Sequence, residues 1–130
     1  MTLSPNFSLP EFASKDMAAF PESVKSNLAE LANNLQVLRN HLEKPIIINS
    51  GYRSENYNKS IGGAKNSQHV LGNAADIRVE GISPKVLHGQ IKMLIDAGKM
   101  KQGGLGLYDT FVHYDIRGHL ARWNFSTKYK

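Results

Sequence analysis

The sequence predicts an α+β fold, a compact domain in which helices flank a small, mostly antiparallel sheet. Three observations carry that expectation. Apolar residues recur every three or four positions through Val24, Leu28, Leu31, Leu35, Leu38 and Leu42, the stripe of a core-facing helix. A shorter stripe of the same period runs through Leu87, Ile91, Leu94 and Ile95. Around them lie brief runs at 46–50, 74–79, 105–108 and 111–116, β-branched or alternating apolar with polar and bounded by turn residues. A chain of 130 residues has room for one hydrophobic core, so 1–130 reads as a single domain.

In chain order, residues 1–20 are rich in Ser, Pro and Phe and lack a period; they read as an irregular arm anchored on the body by Phe7, Leu9 and Phe12. The long helix then begins at Pro21. Proline suits a first helical position, Glu22 the positive end of the helix dipole, and Arg39 and His41 the negative end. Three heptads would also serve a coiled coil, but a stripe that stops before Pro45 is more simply a core helix. Ile46-Ile47-Ile48-Asn49-Ser50 follows as a largely buried strand, Gly51-Tyr52-Arg53-Ser54 as a turn, and 55–60 as a short polar helix. Gly62-Gly63-Ala64-Lys65-Asn66 is a loop by composition. The 74–79 strand sets Ala75, Ile77 and Val79 against Asp76 and Arg78. Ser83 caps the second helix with Pro84 in its first turn, and Gly98 stops it. After Gly103-Gly104, the last two strands flank Asp109-Thr110 as a hairpin turn.

Composition excludes several classes of function. The absence of cysteine removes disulfide scaffolds, thiolate metal sites and cysteine nucleophiles, so any metal must be held by histidine and carboxylate. No apolar run approaches the length needed to cross a bilayer, and no membrane insertion is expected. The first ten residues carry neither a basic nor an apolar signal region, so synthesis in the cytoplasm without a secretory signal is expected. Sixteen basic against eleven acidic residues give a net charge of +5, which favours anionic partners without choosing among them. The densest basic spots, Lys99-Met100-Lys101 and Lys128-Tyr129-Lys130, are too short for a nucleic-acid arm, and no nucleic acid is expected as a partner.

The chemistry concentrates in Ser67-Gln68-His69-Val70-Leu71-Gly72-Asn73-Ala74-Ala75-Asp76. His69 reads as a loop residue and Asp76 as an early strand residue. A third candidate, His113, lies on the last strand, where a period of two puts Phe111, His113 and Asp115 on one face and Val112, Tyr114 and Ile116 on the other. Two imidazoles and a carboxylate suit an open zinc site, leaving a fourth position for a water whose pKa falls to about 7. Spacing alone does not decide this, since His-x6-Asp is common by chance. Of the remaining histidines, His41 and His88 read as surface or unpartnered residues and His119 as non-catalytic. Arg122 and Trp123 read as packing for the C-terminal end.

Taken in order, Gly51-Tyr52-Arg53-Ser54, Gly62-Gly63-Ala64, Ser67-x-His69-x-x-Gly72-x-Ala74-x-Asp76, Phe111-Val112-His113-x-Asp115 and Arg122-Trp123 resemble the zinc D-Ala-D-Ala carboxypeptidase family, which shares its fold with the Hedgehog signalling domain. The opening Phe7-Ser8-Leu9-Pro10-Glu11-Phe12 and the leucine-rich helix extend the resemblance over essentially the whole chain, nearest to short peptidoglycan peptidases of bacteria and phages. The resemblance implies one Zn2+ per chain, held by His69, Asp76 and His113. It implies that Arg53 holds a substrate carboxylate or steadies the oxyanion, a task suited to a planar fork of donors. Ser67 is then expected to shape the loop and the substrate site, and Tyr108 to hydrogen-bond the transition state.

The general base is left open. Relatives such as the vancomycin-resistance dipeptidases place a carboxylate three residues before the last histidine, where this chain has Thr110. Asp115 is the first choice and Asp109 the second; Asp115 could instead orient a ligand histidine. The function implied is hydrolysis of a peptide bond in peptidoglycan stem peptides or cross-links, by carboxypeptidase or endopeptidase action of a monomer. A low-activity binding module of the same fold is the alternative. Action on the cell wall without a signal sequence would follow from phage-mediated release or carriage in a virion.

Overall fold

The computed structural model describes residues 1–129. The elements run β1 (Thr2–Ser4), β2 (Phe7–Ser8), a 3-10 turn (Leu9–Phe12), α1 (Glu22–Leu42), β3 (Ile47–Ser50), α2 (Glu55–Ser60), α3 (Gln68–Leu71), β4 (Ala74–Arg78), α4 (Pro84–Asp96), β5 (Gly104–Leu107), β6 (Val112–Asp115) and β7 (Ala121–Asn124). The long helix forms where its stripe requires, with Pro21 one place earlier than expected, as the N-cap. It ends at Leu42, and Glu43 closes it in the left-handed conformation.

Five strands make the main sheet in the order β3-β4-β6-β5-β7. All neighbours are antiparallel except β5 and β7, which pair in parallel. β7 was not anticipated, because Ala121-Arg122-Trp123-Asn124 carries no alternating pattern; it forms by adding to the open edge of β5. β3, expected to be largely buried, is the opposite edge and is only half-buried.

The period of two separates the sheet's faces. Ala75, Ile77, Leu105, Leu107, Val112 and Tyr114 join the stripes of α1 and α4 in one core. Asp76, His113, Asp115, Gly104 and Gly106 occupy the alternate positions, away from that core. The N-terminal arm is more regular than its composition implies: β1 and β2 form a small antiparallel sheet, and Ser8 and Glu11 make a reciprocal capping box. Ser4 Oγ and the Asn6 N–H both donate to Gln36 Oε1, tying the arm to α1, while Phe7 and Phe12 are buried beneath it.

Candidate metal centre and cleft

The Ser-x-His-x-x-Gly string folds into α3, a single helical turn with both ends capped, rather than the loop expected for His69. Ser67 Oγ accepts the His69 N–H at 3.2 Å, and Gly72 closes the turn at φ 79°. A Cβ on Gly72 would also press on Val24 of α1, at 2.8 Å from its Cγ1, so only glycine meets both demands. Gly72→Ala is therefore expected to lower stability by about 1–3 kcal/mol, read from a thermal melt, and to weaken metal retention because α3 carries His69.

The turn before α2 is laced to α3. The Arg53 N–H donates to the His69 carbonyl at 3.0 Å, and the Gly51 carbonyl accepts from His69 Nδ1 at 2.8 Å. A carbonyl can only accept, so Nδ1 carries a proton and Nε2 is the nitrogen left to ligate a metal. Nε2 stands 3.3 Å from Asp76 Oδ1. His113 repeats the arrangement with its nitrogens exchanged: Nε2 donates to Asp115 Oδ2 at 2.7 Å, and Nδ1 faces the same Asp76 Oδ1 at 3.1 Å. All three side chains are buried.

Three ligand atoms thus converge on one point, where a positive charge, carried by a metal ion or by protons, offsets the buried carboxylate. Neighbouring donors around a tetrahedral zinc ion stand about 3.3 Å apart for bonds of ~2.0 Å, which matches the separations from Asp76. The two histidines are also each held by a second partner, as zinc-binding imidazoles require. The residues fit a zinc ion. Protons meet the same need: although burial opposes it, hydrogen bonds from His113 and His69 hold the Asp76 carboxyl far below the usual range. Burial opposes charging of His113 as well, and its bonds to Asp115 and Asp76 prevail, raising its pKa.

The centre lies in a cleft of about 490 Å³ that Arg53, Ser67, Tyr108, Phe111, Arg117 and Trp123 also line, large enough for a short peptide segment. Arg53 is held by three long contacts: Nε to Ser50 Oγ at 3.3 Å, one terminal nitrogen to Asn58 Oδ1 at 3.4 Å, and the other to Asp76 Oδ2 at 3.4 Å. Asn58, which no sequence motif marked, is buried and also donates to the Ala64 carbonyl, organising the glycine-rich loop.

Asp115 does not occupy the position expected of a general base. It is 0% exposed and stands behind His113, away from Asp76. Its Oδ1 accepts from the N–H groups of Gly104 and Arg117 and from Arg117 Nε; its Oδ2 accepts from His113 and the Arg117 terminus. Every lone pair is committed, which suits a group that aims an imidazole and not one that takes a proton from water. Gly103 and Gly104 make room for it, since a Cβ on either would overlap Asp115. Asp109 is also elsewhere, accepting from the backbone of Thr127 and Lys128 at the surface.

Trp123 corrects a further expectation. Arg122 does pack the C-terminal end, donating to the Gly103 carbonyl, but Trp123 points into the cleft with its ring 5.0 Å from that of His113. A Cβ on Gly106 would overlap the indole, so the Gly-x-Gly of β5 is the signal that could have announced a side chain lying across that strand. His119 is exposed and His41 pairs with Gln90 at the surface. Of the basic spots, Lys101 is paired with Glu30 at 2.8 Å, while Lys130 lies outside the described residues.

A sequence model of the peptidase M15 family matches residues 5–115. The chain belongs to that family. As an M15 peptidase-family chain, it is 34% identical over 104 residues to the probable peptidoglycan L,D-endopeptidase MepK of Haemophilus influenzae, covering 75% of this chain and 52% of that protein. The peptidoglycan L,D-endopeptidase MepK of Escherichia coli K12 is 38% identical over 87 residues, 62% of this chain and 44% of the relative. The zinc D-Ala-D-Ala carboxypeptidase of Streptomyces albus G is 48% identical over 44 residues, 33% of this chain and 17% of the relative. This M15 chain therefore spans about half or less of the length of these curated relatives. No helix among its described residues is long and apolar enough to cross a membrane.

Proposed function

We propose that the chain is a zinc-dependent peptidase that hydrolyses a peptide bond in peptidoglycan stem peptides or their cross-links. One observation carries the reading: His69 Nε2, Asp76 Oδ1 and His113 Nδ1 turn toward a common point in a cleft that Arg53 also lines. The family supplies the peptidase class, and the names of the relatives supply the wall peptide as substrate.

His69, Asp76 and His113 would hold the zinc ion. When bound, zinc polarises a carbonyl oxygen and brings the pKa of a water in the open position to about 7. The chain's residues do the rest. Arg53, released from its long contacts, offers two N–H groups to a substrate carboxylate or to the scissile carbonyl oxygen as it gains charge. Asp115, charged and itself gripped by Arg117, keeps the His113 proton on Nε2 so that Nδ1 stays available. Ser67 fixes the turn that presents His69 and borders the substrate path. The chain acts on the wall as a monomer, its net positive charge concentrating it there in a salt-sensitive way. Release through a phage-type lytic route, or carriage in a virion, belongs to the same reading and is carried by the resemblance alone.

A second reading, a wall-peptide binding module of low activity, is favoured by one feature. Thr110 stands three residues before His113, and Asp76 is the sole carboxylate among the described residues that line the cleft. Both readings meet in one experiment. Purified protein is stripped with a chelator, reloaded with zinc and incubated with muropeptides analysed by mass spectrometry. Cleavage that disappears on stripping and returns with zinc is the expected result, and the fragments name the bond. Zinc uptake with peptide binding and no fragments would establish the binding module instead.

A further inference from the structure

The cleft contains a hydrogen-bond donor whose proton the fold leaves unspent. Trp123 Nε1 donates to the Tyr108 hydroxyl at 3.0 Å. An indole nitrogen can only donate, so the phenol oxygen accepts there and its own hydrogen is left for something else. Among the described residues no acceptor for it is in place. The Tyr108 ring cannot easily turn away, because it is stacked on Phe111 at 4.3 Å and 12° and abutted edge-on by Phe125 at 5.8 Å.

Strand register places this donor. Ser50 pairs with Asp76, Asp76 with His113, His113 with Gly106, and Gly106 with Trp123, so one transverse row crosses the sheet. Arg53 is bonded to the Ser50 and Asp76 end of that row. Tyr108 is bonded to the Trp123 end, and the two flank the histidine and aspartate from opposite sides. With no free carboxylate in the cleft, donors are what the chain offers a reacting carbonyl.

We propose that Tyr108 donates its phenolic O–H to the scissile carbonyl oxygen as that atom gains negative charge, and that Trp123 is the positioning residue that aims it. The proton stays on Tyr108 throughout; the contribution is a preorganised hydrogen bond that strengthens in the transition state. The inference rests on the peptidase reading above and adds to it the geometry that leaves the Tyr108 proton available and the residue that orients it.

The test uses the zinc-loaded full chain, soluble muropeptides, and the variants Tyr108→Phe, Trp123→Phe and the double variant, each checked for zinc content and melting temperature. Tyr108→Phe is expected to lower kcat about 100-fold with KM within about threefold, the sign of an interaction made only in the transition state. Trp123→Phe, which keeps a ring but loses the donor, is expected to lower kcat about 10-fold alone and less than about twofold in the Tyr108→Phe background. A second readout needs no activity. Trp123 is the sole tryptophan, and its emission is expected to shift in Tyr108→Phe as the indole loses its acceptor.

An unshifted emission, a rise in KM with kcat unchanged, or a Trp123→Phe loss of equal size in both backgrounds would overturn this inference while leaving the peptidase intact. A wild-type chain that binds zinc but cleaves nothing would overturn the peptidase reading and this one with it.

Discussion

Replacing His113 by alanine is expected to remove the bound zinc and, with it, cleavage. The purified wild type should carry about one zinc per chain by mass spectrometry and the variant none. The reason lies in the donor count. His69 Nε2 and Asp76 Oδ1 alone form a two-point site, and Asp76 Oδ2 is already engaged by Arg53. Zinc sites that do chemistry keep three protein ligands. Loss of the several kcal/mol that a bound ion contributes to the transition state corresponds to a fall of more than about a thousandfold in rate. The substitution also strips Asp76 and Asp115 of a shared donor, so the melting curve should be compared with that of the stripped wild type. A variant that retained zinc and cleaved normally would remove His113 from the centre.

The second large effect is expected at Asp115. Its carboxylate satisfies five donors from Gly104, His113 and Arg117 in a fully buried position. Asp115→Ala leaves the Arg117 charge and two N–H groups without an acceptor, which costs about 3–5 kcal/mol and should drop the melting temperature by about 10 °C or more. Burial works against the charge, yet hydrogen bonds from His113, Arg117 and the Gly104 N–H hold the carboxyl far below its usual pKa. The sign follows: a depressed folded value means that this stabilisation is fully present above about pH 4 and fades as pH falls toward the folded value.

Asp115→Asn separates positioning from proton transfer. An amide keeps the shape but cannot accept from both His113 and the Arg117 and Gly104 donors. Zinc affinity should fall about 10–100-fold, with cleavage largely restored at saturating zinc. A general base replaced by asparagine would behave in the opposite way, holding zinc normally while cleavage stayed lost. Titration with a zinc indicator beside the muropeptide assay distinguishes the two.

Much of this site was readable in the linear chain because the motifs that carry the family resemblance contain its donors. Ser67, His69 and Gly72 are a capped helical turn written out in sequence, even though the turn is too short to register as a helix by periodicity. Alternation along 111–116 separated His113 and Asp115 from the core residues Val112 and Tyr114, and the sheet keeps that division. Alternation says which face a residue takes but not how deep it lies on that face. Asp115 and His113 share a face, yet only His113 reaches Asp76, because Gly104 on the neighbouring strand leaves the space and the N–H that hold the Asp115 carboxylate.

The linear sequence by itself determined the α+β class, the long core helix and the absence of thiol chemistry, which follow from residue type or from spacing within one element. It marked His69, Asp76 and His113 through the motifs that resemble the zinc carboxypeptidase family, since the three lie on separate elements and their spacing alone does not single them out. Tertiary structure alone decided what surrounds the trio. The parallel addition of β7 to β5 brings Trp123 beside His113, and register sets Ser50, Asp76, His113, Gly106 and Trp123 in one row. Arg117 becomes the clamp on Asp115, and Asn58 the holder of Arg53. The physical reason is that strand pairing is cooperative across the sheet. A strand with little pattern of its own adopts the register that its neighbour's free backbone groups impose, and the chemistry of its side chains is assigned only then.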